Sequence, residues 1–284
     1  MLRLAYKLGR AYKEYTSNFN MSNIIKHPYH LVEMSPWPLF ASISAIGLTT
    51  GMVMWFHIKS MLLFYTSAIM MLLVMYQWWR DISREGSFQG LHTNMVETGL
   101  RWGIILFIMS EVIFFISFFW AFFHRRLSPN VELGCLWPPL GVDAFDPFKV
   151  PLINTIILLS SGVRVTWAHH ALMEGNYSRS LEALGVTILL GVYFTAIQML
   201  EYVESSFSIS DSSFGRTFFV ATGFHGLHVL IGTLFLVFTL LRITIGKMRA
   251  SHHFGFEASA WYWHFVDVVW LFLFVTIYWW GGSI

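Results

Sequence analysis

Only 12% of the 284 residues are charged, about half of the roughly 25% usual in soluble domains, while 56% are hydrophobic and 18% aromatic. A surface so poor in charge excludes a soluble globule. The net charge of +2, without a Lys/Arg cluster beyond the first few residues, excludes a nucleic-acid partner, and the single cysteine, Cys135, excludes an internal disulfide, a CxxC site and a thiolate-rich metal cluster.

In chain order, the first twenty residues place Arg3, Lys7, Arg10 and Glu14 at i, i+4, i+7 and i+11, on one helical face. They read either as an amphipathic transit or surface helix, or as an extension upstream of a start at Met21. The extension is favoured, because a transit peptide is acidic-poor and Ser-rich. Residues 1–33 form the N-terminal segment.

A helix needs about 20 apolar residues to cross a hydrocarbon core of about 30 Å. Cutting the chain at its charges yields seven such spans: Met34–Ile58, Ser60–Trp79, Trp102–His124, Val150–Met173, Ala183–Leu200, Thr217–Leu241 and Ala258–Ile284. The first two meet around His57–Ser60 and form an antiparallel hairpin over 34–79. A polar connection, 80–101, separates this pair from a five-helix group over 102–284. The 125–150 loop carries Pro129, Pro138, Pro139 and Pro147, and Pro151 suits the first turn of the fourth span. Trp78, Trp79, Trp261, Trp263, Trp279 and Trp280 lie near span ends, as an interfacial aromatic belt requires. Gly47 and Gly51 make a GxxxG that permits close helix contact.

Seven spans put the N-terminus and the 2–3, 4–5 and 6–7 loops on one side. That side carries twelve Lys/Arg residues and the opposite side five, so the positive-inside rule sends the N-terminus to the cytoplasm or matrix and the C-terminus outside.

Charged groups at mid-depth cost about 2.5–3.5 kcal/mol each on insertion scales, so each marks a possible function. Glu111 reads either as a proton-linked or gating acid, or as a neutral carboxyl hydrogen-bonded to a neighbouring helix. Asp267 is similarly deep in the seventh span, and Arg164 is near the middle of the fourth. One Arg with two carboxyls at matching depth points to an interhelical ion pair or to a contact with a neighbouring subunit. His225 and His228 share a helical face and His264 lies in the seventh span. A haem or di-metal site needs facing histidines, commonly with Glu-x-x-His, which is absent near His225, so hydrogen bonding between helices is the better reading. The halves of the chain show no evident repeat, which disfavours a proton-coupled transporter working through Glu111 and Asp267.

The segments also resemble a known family. They are His27-Pro-Tyr-His-Leu-Val32 with Ser35-Pro-Trp-Pro-Leu39, Trp78-Trp-Arg-Asp81, Leu106-Phe-Ile-Met-Ser-Glu-Val112, Phe118-Phe-Trp-Ala-Phe122 and Trp137-Pro-Pro139. Further on come Thr166-Trp-Ala-His-His170, Leu189-Leu-Gly-Val-Tyr-Phe194, Phe218-Phe-Val-Ala-Thr-Gly-Phe-His-Gly-Leu-His228, His252-His-Phe-Gly-Phe-Glu257, Trp261-Tyr-Trp-His-Phe-Val-Asp-Val-Val-Trp270 and Tyr278-Trp-Trp-Gly281. In this order, over residues 27 to the C-terminus, they closely resemble the subunit III family of haem–copper cytochrome c oxidases, in its mitochondrial form.

The resemblance implies an all-α integral membrane protein, with two plus five helices around a V-shaped lipid cleft. It implies a subunit with no catalytic residue, metal or redox centre of its own, haem a and copper belonging to subunits I and II. It implies further accessory subunits, structural phospholipids, support of proton uptake, and a mitochondrial inner-membrane location with the N-terminus on the matrix side. Glu111 matches the family's buried carboxyl, and Trp79, Arg84, Glu85, His92 and Arg242 match positions that hold phospholipid headgroups. Three features depart from the pattern: residues 1–20, Arg164 in place of a small polar residue, and the Gly134-Cys-Leu-Trp137 order.

Overall fold

The computed structural model describes residues 27–129, 131, 134–250 and 252–282. The readings made for residues 1–20 and for the start at Met21 lie outside these. Among the described residues there are seven helices long and apolar enough to cross a membrane. They are α1 (Trp37–Ile58), α2 (Leu62–Ser87), α3 (Asn94–Leu127), α4 (Val150–Met173), α5 (Tyr177–Val203), α6 (Ser213–Thr244) and α7 (Phe254–Leu273), the last continuing as a π-helix over Phe274–Trp280. Contacts divide the chain into two compact units, one ending at Leu100 and the other starting at Arg101.

The first unit is the α1–α2 hairpin. Lys59 turns the chain in a left-handed conformation, φ 60°, and its N–H donates to the Trp55 carbonyl at 3.1 Å. The helices then run back in close contact, because Gly51 presents no side chain. A Cβ there would sit 2.6 Å from the Phe64 nitrogen, and one at Gly47 would strike the Ser67 hydroxyl. At the far end Trp37 Nε1 donates to Asp81 Oδ2 at 2.8 Å, while Arg80 holds the other carboxylate oxygen at 2.9 Å. Outward-facing Ile43, Ile46, Leu72 and Leu73 are exposed, as befits helix faces solvated by lipid.

The second unit packs α4 against α5 and α7, and α6 against α5 and α7. Pro151 occupies the first turn of α4, where its missing N–H costs nothing. Asn176 caps α5 by accepting from the Arg179 N–H, and Ser212 caps α6 by accepting from the Gly215 N–H.

The centre of this unit is α7. Trp263 is fully buried, in a slot that exists because Gly191 of α5 and Gly232 of α6 lack a Cβ; one would approach the indole to 2.6 and 3.0 Å. Its Nε1 donates to Ser161 Oγ of α4 at 2.9 Å, and Trp270 Nε1 donates to Thr155 Oγ1 of α4 at the same distance. Small residues thus admit large aromatics, and hydroxyls satisfy their polar edges, the packing expected where lipid removes the hydrophobic drive between helices. Trp263 is therefore core and not part of the aromatic belt read from the sequence; Trp79 and Trp279 are exposed near helix ends as that belt requires.

α3 reaches the rest of the second unit through long side chains. Phe114, Phe115 and Phe119 have ring centres 5.1 Å from Phe224, 6.0 Å from Phe265 and 6.2 Å from Phe272.

Candidate functional site

Glu111 projects from the middle of α3 toward α6. Its Oε2 lies 2.9 Å from His228 Nε2, and the other ring nitrogen, Nδ1, lies 2.7 Å from the Phe224 carbonyl. A carbonyl only accepts, so Nδ1 carries a proton. The Glu111–His228 bond then holds one proton more, on the carboxyl or on the imidazole. Phe114, Phe115, Tyr262 and Phe265 surround the imidazole at centroid distances of 5.0–6.4 Å.

Asp267, on α7, is also buried. Its Oδ2 fills the space that a Cβ on Gly162 of α4 would take, and its Oδ1 is buried with no hydrogen-bond partner among the described residues. Arg164 is only two residues from Gly162, but that is about 200° around the helix. It lies on an exposed face with its guanidinium carbon 5.4 Å from the centre of the Trp167 ring. No carboxylate among the described residues is within ion-pairing distance of it. The structure thus brings Glu111 to a histidine, Asp267 to a glycine gap and Arg164 to an aromatic face, with none of the three paired to another.

Of the residues matched to headgroup positions, Trp79 and Arg84 are exposed on the later turns of α2. Glu85 and His92 are half-buried together with His30. His30 Nε2 lies 4.0 Å from Glu85 Oε2, and the His30 and His92 rings are 6.1 Å apart. Gly86 makes room for His92, whose Nδ1 would lie 2.7 Å from a Cβ at that position. Arg242 is half-buried in the last turn of α6, in the second unit, where the helix dipole favours a cation.

One polar cluster escapes the sequence reading. Cutting the fifth span at Leu200 put Glu201 outside it, whereas α5 runs on to Val203 and Glu201 is 2% exposed. It sits beside Tyr278, whose hydroxyl accepts from Gln198 Nε2 at 3.1 Å; Gln198 Oε1 in turn accepts from Asn154 Nδ2 at 3.3 Å. A spacing signal was available, since Gln198 and Glu201 are i, i+3 on one face.

Two further span histidines are engaged at Nε2. His225 donates to the Val266 carbonyl at 3.1 Å, and His264 meets the Thr166 hydroxyl at 3.1 Å.

The chain is similar to known proteins along most of its length. The family model described as cytochrome c oxidase subunit III matches residues 27–282. Cytochrome c oxidase subunit 3 of Anopheles gambiae is 63% identical over 262 residues, 92% of this chain and 100% of that protein. The subunit of the same name from Drosophila melanogaster is 62% identical over the same shares, and that of Scyliorhinus canicula 61% over 90% and 98%. Seven apolar helices, a carboxyl on α3 bonded to a histidine on α6, and this identity along nearly the whole chain lead to one conclusion: the chain belongs to the cytochrome c oxidase subunit III family.

Proposed function

We propose that this chain is an accessory subunit of a respiratory cytochrome c oxidase in the mitochondrial inner membrane, bound to subunits I and II and to further accessory subunits. Haem a and copper are held by those partners. This chain stabilises the catalytic subunit, carries structural phospholipids and supports proton uptake, and contributes no catalytic residue. The N-terminus faces the matrix and the C-terminus the intermembrane space, in keeping with twelve Lys/Arg residues on the first side and five on the other.

The redox-inert reading is carried by the match to the subunit III family along nearly the whole chain. It is supported by His228, which commits both ring nitrogens to protein groups, and by His225, which is 1% exposed and packed between the Phe194 and Trp270 rings at 5.7 and 5.2 Å. A haem ligand needs a ring nitrogen with open space before it for the macrocycle. Phospholipid headgroups are proposed at Trp79, Arg84, Glu85 and His92 on the first unit and at Arg242 on the second. Near an anionic lipid surface each basic residue is worth about 1 kcal/mol. Arg164, exposed on α4 and stacked on Trp167, is proposed to meet a partner subunit.

The test is a mild-detergent pull-down of the chain with mass spectrometry and a reduced-minus-oxidised spectrum. Recovery with the two redox subunits and an a-type haem signal is expected. A haem spectrum that stays with the chain once its partners are stripped away would overturn the redox-inert reading.

A further inference from the structure

We propose that His169, His253 and Glu257 form a binding site for a redox-inert divalent cation, with zinc as the best fit, at the end of the second unit where α4 finishes and α7 begins. One ligand atom from each residue lies within 4.8 Å of the others. His169 comes from the last turns of α4, His253 directly precedes α7, and Glu257 stands in the first turn of α7, four residues after His253.

The spacing suits a tetrahedral metal. Zinc–nitrogen and zinc–oxygen bonds of about 2.0–2.1 Å set neighbouring ligand atoms about 3.4 Å apart, the edge of the tetrahedron. His253 Nε2 and Glu257 Oε1 are 3.4 Å apart. That separation is long for a hydrogen bond between a ring nitrogen and a carboxylate, and right for two ligands of one ion. The other carboxylate oxygen, Oε2, accepts from Arg101 Nε at 2.8 Å, so the carboxyl is oriented with Oε1 toward the histidines.

An independent observation points the same way. Among the described residues, His169 Nε2 is buried with no hydrogen-bond partner. Buried ring nitrogens are ordinarily satisfied, and His169 is not loosely placed: its ring stacks on Phe256 at 5.2 Å and 16°, with the His253 ring 5.2 Å away. A ring held in position with a bare buried nitrogen, beside a second imidazole and a carboxylate, has the makings of a ligand set. Two imidazoles and one carboxylate favour zinc over calcium or magnesium, which take oxygen ligands. Three protein ligands leave a fourth position for water or for a group from a partner. Zinc carries no electron, so the site is independent of the redox-inert reading above.

The half-buried group His30, Glu85 and His92 in the first unit is the internal comparison, since its ligand atoms are also within 4.8 Å of one another. It lacks the two features that distinguish the α4–α7 group. His30 and Glu85 are 4.0 Å apart, and neither His30 nor His92 has a bare buried nitrogen.

The experiment uses the full chain in phospholipid nanodiscs, titrated with zinc chloride in equilibrium dialysis, with zinc K-edge absorption on the first equivalent bound. Wild type and His30→Gln are expected to bind alike, with two imidazoles and an oxygen ligand in the absorption spectrum, and His169→Gln to weaken uptake more than tenfold. Unchanged uptake by His169→Gln, or loss in His30→Gln instead, would overturn the proposal. Should His169→Gln fail to insert, the His30→Gln protein decides: two imidazoles at zinc support the site, and fewer refute it.

Discussion

Replacing Glu111 by Leu tests whether the α3–α6 pair is held by its shared proton. Leu preserves apolar contact on a helix that already faces lipid, so the perturbation falls on His228, whose side chain is 9% exposed. Its Nδ1 remains bound to the Phe224 carbonyl, and its Nε2 is left without a partner in an aromatic shell. A buried polar group stripped of its partner costs about 1–3 kcal/mol. Glu111→Gln behaves differently, because the amide N–H can donate to a bare Nε2, and the loss stays below about 1 kcal/mol. In a His228→Leu background the Glu111→Leu cost shrinks, since no bare nitrogen is created. The resulting coupling is about 0.6 kcal/mol and at most about 1.7 kcal/mol, the average and upper value for interhelical hydrogen bonds in a membrane protein. Steric-trapping unfolding of the full chain in bicelles measures all four corners of the cycle. Equal damage from Gln and Leu, or an undiminished Leu cost without His228, would refute the argument.

The hairpin offers two contrasting substitutions. Gly51→Ala forces a Cβ onto the backbone of Phe64, so α1 and α2 must separate at a cost of about 1–3 kcal/mol, whereas Gly47→Ala meets only the Ser67 side chain and is rescued by Ser67→Gly; the same unfolding assay separates the two. Lys59→Gly relieves a left-handed conformation and is expected to leave stability unchanged or raise it by up to about 1 kcal/mol, read as a shift in the unfolding midpoint. Asp211, in the loop before α6, has its carboxyl held below the ordinary value of 3.8 by hydrogen bonds from the Ser208 hydroxyl and N–H. A depressed carboxyl stabilises the turn fully above that value, and the effect is lost as pH falls below it and through the lower value of the folded state. Protection of the Ser208 amide from hydrogen exchange, relative to the unstructured rate, is therefore expected to drop below about pH 4 and to show no such step in Asp211→Asn.

Hydropathy alone determines how many times the chain crosses and roughly where, because each span exchanges water for lipid independently of its neighbours. That is why Val150–Met173 is read from the sequence with the bounds it has in the structure, with Pro151 marking its start. Where a helix end is polar the reading stops short: α2 continues to Ser87 and α5 encloses Glu201, since backbone hydrogen bonding carries a helix past its apolar window. The depth of Glu111, Asp267 and Arg164 was equally legible, but their partners were not. Depth is a one-dimensional property, whereas partnership depends on how each helix is rotated about its axis. That rotation is set by the grooves of Gly191 and Gly232 that receive Trp263, and by the gap at Gly162 that receives Asp267. Those fits turn Glu111 toward a histidine 117 positions away, leave Arg164 on the outer face, and bring His169 to His253 and Glu257. Only tertiary packing decides such meetings, because the residues that create the grooves are not the residues that meet.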